Sequence, residues 1–181
     1  MFERPKKEVI DQLVDECFAI AKEHGFHDQP CSFDLRRCLI VSELMEAVEA
    51  DRKDRHANVA GFENAAKVYP IQRCFEGYVK DTVEDELADA AIRIFDCVGA
   101  GDASLGTWDE SKDFSKVEWY KVCGFAEAVF DIVEDVVNYY LEDVLFDIFC
   151  LAHVMGFDLM EHIRLKMDYN RTRERLHGKK Y

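Results

Sequence analysis

Two pairs of acidic residues stand out in the sequence by their spacing and by their company. Glu43 and Glu46 lie three positions apart, as do Glu86 and Asp89. On a helix that separation is about 60° around the axis, so each pair projects from one face. Leu39, Ile40, Val41, Leu44, Met45, Ala47 and Val48 surround the first pair, and Leu87, Ala88, Ala90, Ala91 and Ile92 surround the second. Carboxylates gathered among such neighbours repel one another and lose solvation unless they are protonated, paired with bases or bound to cations. Hard oxygen ligands on facing helices suit Mg2+, with Mn2+ as a substitute. The plainer alternative is that ExxE and ExxD simply decorate solvated faces, where Glu and Asp ordinarily sit. A di-iron bundle would need Glu-x-x-His on two helices, a pairing the sequence does not supply. Nor do the six histidines form an HExxH or a Cys-His ligand spacing, which argues against a zinc hydrolase.

A second set carries the opposite charge. Lys166, Asn170 and Arg173 follow one another at four and three residues and share one helical face. Ammonium, amide and guanidinium groups in that row could hold phosphate oxygens and a sugar hydroxyl. A basic last turn favoured by the helix dipole explains the same residues without a ligand.

These groups must be positioned by helices. Ala, Leu, Glu and Asp dominate long stretches, with three prolines and nine glycines, which favours an all-α bundle of about five to six helices around a four-helix core. Apolar residues recur at helical spacing from Pro5 to His24, with Gly25 closing the run. A second helix is expected from Ser32 or Phe33 to about Lys53. Residues 55–80 lack sustained periodicity and read as a long connection with a short helix around Phe62 to Val68. Thr82 with Asp85 opens a third helix to about Val98. Ser115 with Glu118 starts another that runs through Val136, with a break near Asn138 to Glu142. The segment Val144 to Met155 ends at Gly156, and Asp158 with Glu161 opens the last helix through Met167.

The 181 residues suit one domain, read as spanning 1–181. Hydrophobic residues make up 49% and charged residues 33%, a globular rather than a disordered balance. With 37 acids against 23 bases the formal charge is -14, the wrong sign for tracking a nucleic-acid backbone or an anionic membrane. No apolar run approaches the roughly 20 residues that span a bilayer, and the start is charged rather than signal-like, so a cytoplasmic location is expected. Seven cysteines, odd in number and without a CxxC pair, are expected to be reduced.

Three blocks in order resemble the all-alpha nucleoside triphosphate pyrophosphohydrolases, the MazG-like group related to dimeric dUTPases. The first is Gly25-Phe26-His27-Asp28 followed by Leu39 to Arg52, which contains Ser42-Glu43-Leu44-Met45-Glu46. The second is Asp85-Glu86-Leu87-Ala88-Asp89 continuing to Asp96. The third is Lys166-Met167-Asp168-Tyr169-Asn170-Arg171-Thr172-Arg173 with His177-Gly178-Lys179. The resemblance implies Mg2+ ligands at Glu43, Glu46, Glu86 and Asp89, and hydrolysis of a nucleoside triphosphate to a monophosphate and pyrophosphate. It implies phosphate and ribose contacts from Lys166, Asn170 and Arg173, with Lys80 a further candidate, and base recognition near Phe26. It implies a homodimer or homotetramer as well. Glu46 or Glu49 is the expected base for the attacking water. Two departures are long insertions near 55–80 and 100–143. Within the same enzyme class, dUTPase-like or phosphoribosyl-ATP cleavage remains open. From a different class, so does a non-catalytic bundle that binds a nucleotide or a protein.

Overall fold

The computed structural model describes residues 4–106, 108 and 115–180. They form an all-α bundle: α1 Lys7–Glu23, α2 Phe33–Asp51, α3 Val59–Ala66, α4 Ile71–Tyr78, α5 Val83–Gly99, α6 Ser115–Tyr120, α7 Phe125–Val137, α8 Leu141–Met155 and α9 Leu159–Arg171. A short turn, Arg175–Gly178, follows α9. Among the described residues no helix is long and apolar enough to cross a membrane.

The hub is α5, which packs against α1, α2, α8 and α9. Its residues Val83, Leu87, Ala88, Ala90, Ala91, Ile94 and Phe95 have no exposed surface. A helix that buries apolar residues along its whole length has to be packed on several sides, and the small alanines let its neighbours come close. α1 comes close at Gly99, where an added Cβ would lie 2.5 Å from the Phe18 Cβ. The helix begins where the sequence predicts: the Thr82 hydroxyl accepts the Asp85 amide at 3.3 Å and donates to the Val79 carbonyl at 2.7 Å. Ser32 caps α2 by accepting from Leu35, and Asp158 caps α9 by accepting from Met160 and Glu161.

Two expectations need correction. Residues 55–80 are not mainly a connection but a helical pair, α3 and α4. Asn58 caps α3 through the Gly61 amide, and Pro70 starts α4. The short helix expected around Phe62 to Val68 overlaps α3, whereas α4, at eight residues, is too short to display a repeating apolar face. They close over a small separate core of Phe62, Cys74, Phe75, Val79 and Tyr169, in which the Phe75 and Tyr169 rings stack at 4.4 Å. The helix expected to run from Ser115 through Val136 is instead two helices. Gly124 stands at the N-cap of α7, and the Glu127 carboxylate accepts its amide at 2.9 Å. That local bond gives the chain an alternative to continuing α6. The other expected break is present, with Tyr139 in a left-handed conformation between α7 and α8.

Candidate metal centre and adjoining cleft

The centre lies between α2, α5 and α9. Oxygen atoms of Glu43, Glu86 and Asp89 come within 4.8 Å of one another, and so do those of Asp81, Asp85 and Glu86. Glu43, Asp85 and Glu86 are buried, at 2%, 1% and 5% exposure. Each of these carboxylates but one has a cation beside it. The Arg93 guanidinium donates its Nε to Glu43 at 2.5 Å and pairs with it through a second nitrogen. The Lys166 ammonium sits 2.8 Å from Asp85 and 3.0 Å from Asp89. Asp81, at the rim with a half-exposed side chain, meets Lys80 and Arg55.

Glu86 is the exception. Among the described residues its carboxyl group forms no hydrogen bond or ion pair, although its oxygens belong to both groups of three. Burial, reinforced by the neighbouring Asp85, pushes its pKa up to about 9. Asp89 moves the other way. Burial works to raise it, but Lys166 and Arg93 outweigh that and hold its carboxyl below the ordinary range. Lys166 is itself raised, because Asp89 and Asp85 overcome its desolvation.

Three of the four expected ligands therefore converge, and Glu46 stands apart from them. The α2 face that buries Glu43 against α5 leaves Glu46 exposed, where it accepts from the Ser42 hydroxyl at 3.2 Å. Glu49 lies a further turn into solvent. Its carboxylate is bound by Arg52 and Lys53, and the hydrogen bond from Lys53 leads in lowering its pKa. Lys166 needs the plainest correction. The helical row it shares with Asn170 and Arg173 is real, but its ammonium faces the acids and not an open phosphate site. Lys80 likewise pairs with Asp81.

Beside the acids a cleft of about 290 Å3 opens, and Asp89 and Arg93 form part of its wall. The opposite walls come from the turn after α1, including Phe26, and from the segment after α9, including Arg173, His177 and Lys179. The Phe26 ring meets His177 edge-on at 5.0 Å. Asn170 and His177 both line this region, and Asn170 Oδ1 and His177 Nε2 are buried without a hydrogen-bond partner. Burial and the Arg173 charge lower His177 to a pKa of about 3, so its imidazole is neutral. The wall is set by backbone left-handed at Leu176, His177 and Gly178 in succession. It is tied down by the Leu176 amide on the His24 carbonyl at 2.8 Å and by Arg173 on the His177 carbonyl at 3.0 Å.

Sequence reasoning missed Asp85 as part of the centre, having read it as a capping residue. The signal was available, because Asp85 and Asp89 are four apart and share a face. It also missed the brace formed by Arg36, which hydrogen-bonds Asp96 at 3.0 Å and forms an ion pair with Asp102 at 2.7 Å while His27 holds the other oxygen of Asp96 at 2.7 Å. Comparison with protein-family models, with curated proteins and with solved structures found no match for this chain.

Proposed function

We propose that the chain is a Mg2+-dependent hydrolase of nucleoside triphosphates, releasing a monophosphate and pyrophosphate in the manner of the MazG-like enzymes it resembles. The observation that carries this reading is Glu86, a buried carboxyl group without a partner, sharing its space with Glu43 and Asp89 at the end of a cation-lined cleft. A donor set of three carboxylate oxygens suits a hard divalent ion, and such an ion gives Glu86 a counter-charge in direct contact, where Lys166 acts on it only from a distance. When bound, the ion would supply positive charge against the triphosphate oxygens in a protein whose own charge is -14.

The chain's own residues would do the rest. Arg93 fixes the Glu43 carboxylate, and Lys166 fixes Asp85 and Asp89, so the ligands are held before substrate arrives. Arg173 and Lys179, on the cleft wall, offer donors to phosphate oxygens. Phe26 offers a ring edge or face to a base, and Asn170 Oδ1 an acceptor to a sugar hydroxyl or a base N–H. Of the two candidate bases, Glu46 keeps an accessible carboxylate, whereas Glu49 is committed to Arg52 and Lys53. Among the described residues, Glu46 is therefore the one of the two whose carboxylate is free of cations and can take a proton from water.

Each NTP and dNTP is incubated with the protein and Mg2+, and pyrophosphate is measured. Release from at least one nucleotide, lost on adding a chelator and reduced at least a hundredfold in Glu86→Gln, is the expected result. Absence of turnover for every nucleotide leaves the non-catalytic binding bundle in its place.

A further inference from the structure

We propose that the centre holds a single resident divalent cation, on Glu43, Glu86 and Asp89, and that the Lys166 ammonium stands where a second cation would otherwise bind. This rests on the metal-centre reading above and goes beyond it to the number of ions and what limits it.

The two groups of three acids share Glu86 and divide the remaining residues between them. Lys166 takes one oxygen from each side, Asp89 of the first group and Asp85 of the second. A charge placed between two carboxylates at these distances occupies the position of a bridging ion. The lysine is built in rather than passing through. It is 4% exposed, it projects from α9, and its ammonium lies 5.6 Å from the centroid of the Phe75 ring. Withdrawing it would leave Asp85 and Asp89 without the ammonium they share, and among the described residues Asp85 would keep only the Asp81 amide at 2.9 Å.

Charge counting leads to the same number. Counting the four acids and the cations in direct contact with them, Glu43, Asp85, Glu86 and Asp89 contribute four negative charges when ionised, and Lys166 and Arg93 contribute two positive ones. The remainder is two negative charges, which one divalent ion cancels. A second would leave a buried excess of two positive charges, at a cost that grows as water is excluded. Asp81 does not alter the count, since Lys80 and Arg55 already face it at the rim.

Titration of the full chain with Mn2+ in the absence of nucleotide, with free Mn2+ read from its EPR signal, counts the ions directly. Wild type is expected to bind one. Lys166→Gln is expected to bind two, with affinities within about tenfold, and Lys166→Arg, which keeps the charge, to bind one. Lys166→Met, which retains the apolar stem, replaces the glutamine variant if circular dichroism shows that variant unfolded. Two ions on wild type would overturn the inference and leave the metal centre standing. One ion on wild type and on the charge-removing variant alike would show that Lys166 displaces nothing. No ion on wild type would remove the inference and the metal centre together.

Discussion

At the scale of the residue, the molecule's unusual group is Glu86. Its folded pKa of about 9 exceeds the ordinary value of 4.5, so between those limits the folded chain holds a proton that the unfolded chain releases. Stability from this group is therefore present below about 4.5, declines as pH rises through the window, and is lost above about 9. Without metal, Glu86→Gln is expected to melt higher than wild type at pH 7.5, by about 1–3 kcal/mol, and to match it near pH 4.5. Wild type should also gain melting temperature on adding Mg2+ at pH 7.5, and the variant should not; calorimetry in a pH series measures both. Asp147 on α8 makes a parallel case outside the site, since burial raises it to about 6 despite Lys116 at 3.3 Å. Asp147→Asn is expected to stabilise at pH 7.5 and to have little effect at pH 4. Glu43, Glu86 and Asp89 were legible in the sequence because carboxylates at helical spacing amid apolar residues contradict the usual exposure of acids. The roles of Lys166 and Asp85 were not. A lysine near a helix end and an acid after a threonine each satisfy a local rule, and only tertiary contact shows that they serve each other.

At the scale of the element, α5 was readable because its apolar pattern is long and its cap is local. Of the pair α3 and α4, the short helix expected around Phe62 to Val68 overlaps α3, but α4 was not readable, because so short a helix leaves no period and packs on Tyr169 of a distant helix. Their small core is separate from the main one. Amides of α4 are expected to exchange with deuterium at least about tenfold faster than those of the middle of α5. Equal protection would show that the pair folds as one unit with the bundle. The crossing of α1 and α5 gives a sharper test. Ordinarily Gly→Ala in a helix stabilises by up to about 1 kcal/mol. At Gly99 the added methyl meets Phe18, so Gly99→Ala is expected to destabilise by about 1–3 kcal/mol, read from urea unfolding.

At the scale of the whole molecule, the excess of acids that argued against nucleic acid and membrane surfaces also sets a cost on compactness, since like charges are crowded together on folding. Raising NaCl from about 50 mM to about 500 mM shortens the reach of that repulsion and is expected to raise the melting temperature by several degrees. A fall would mean that the surface ion pairs outweigh it. The all-α class followed from composition and periodicity, whereas the cleft did not, because its walls come from the turn after α1 and the segment after α9, which only folding brings together. In that second wall, Leu176 and His177 keep a backbone shape that glycine would adopt more easily. A guest resting on it would find the furniture already arranged, and would surrender none of its grip to tidying the room.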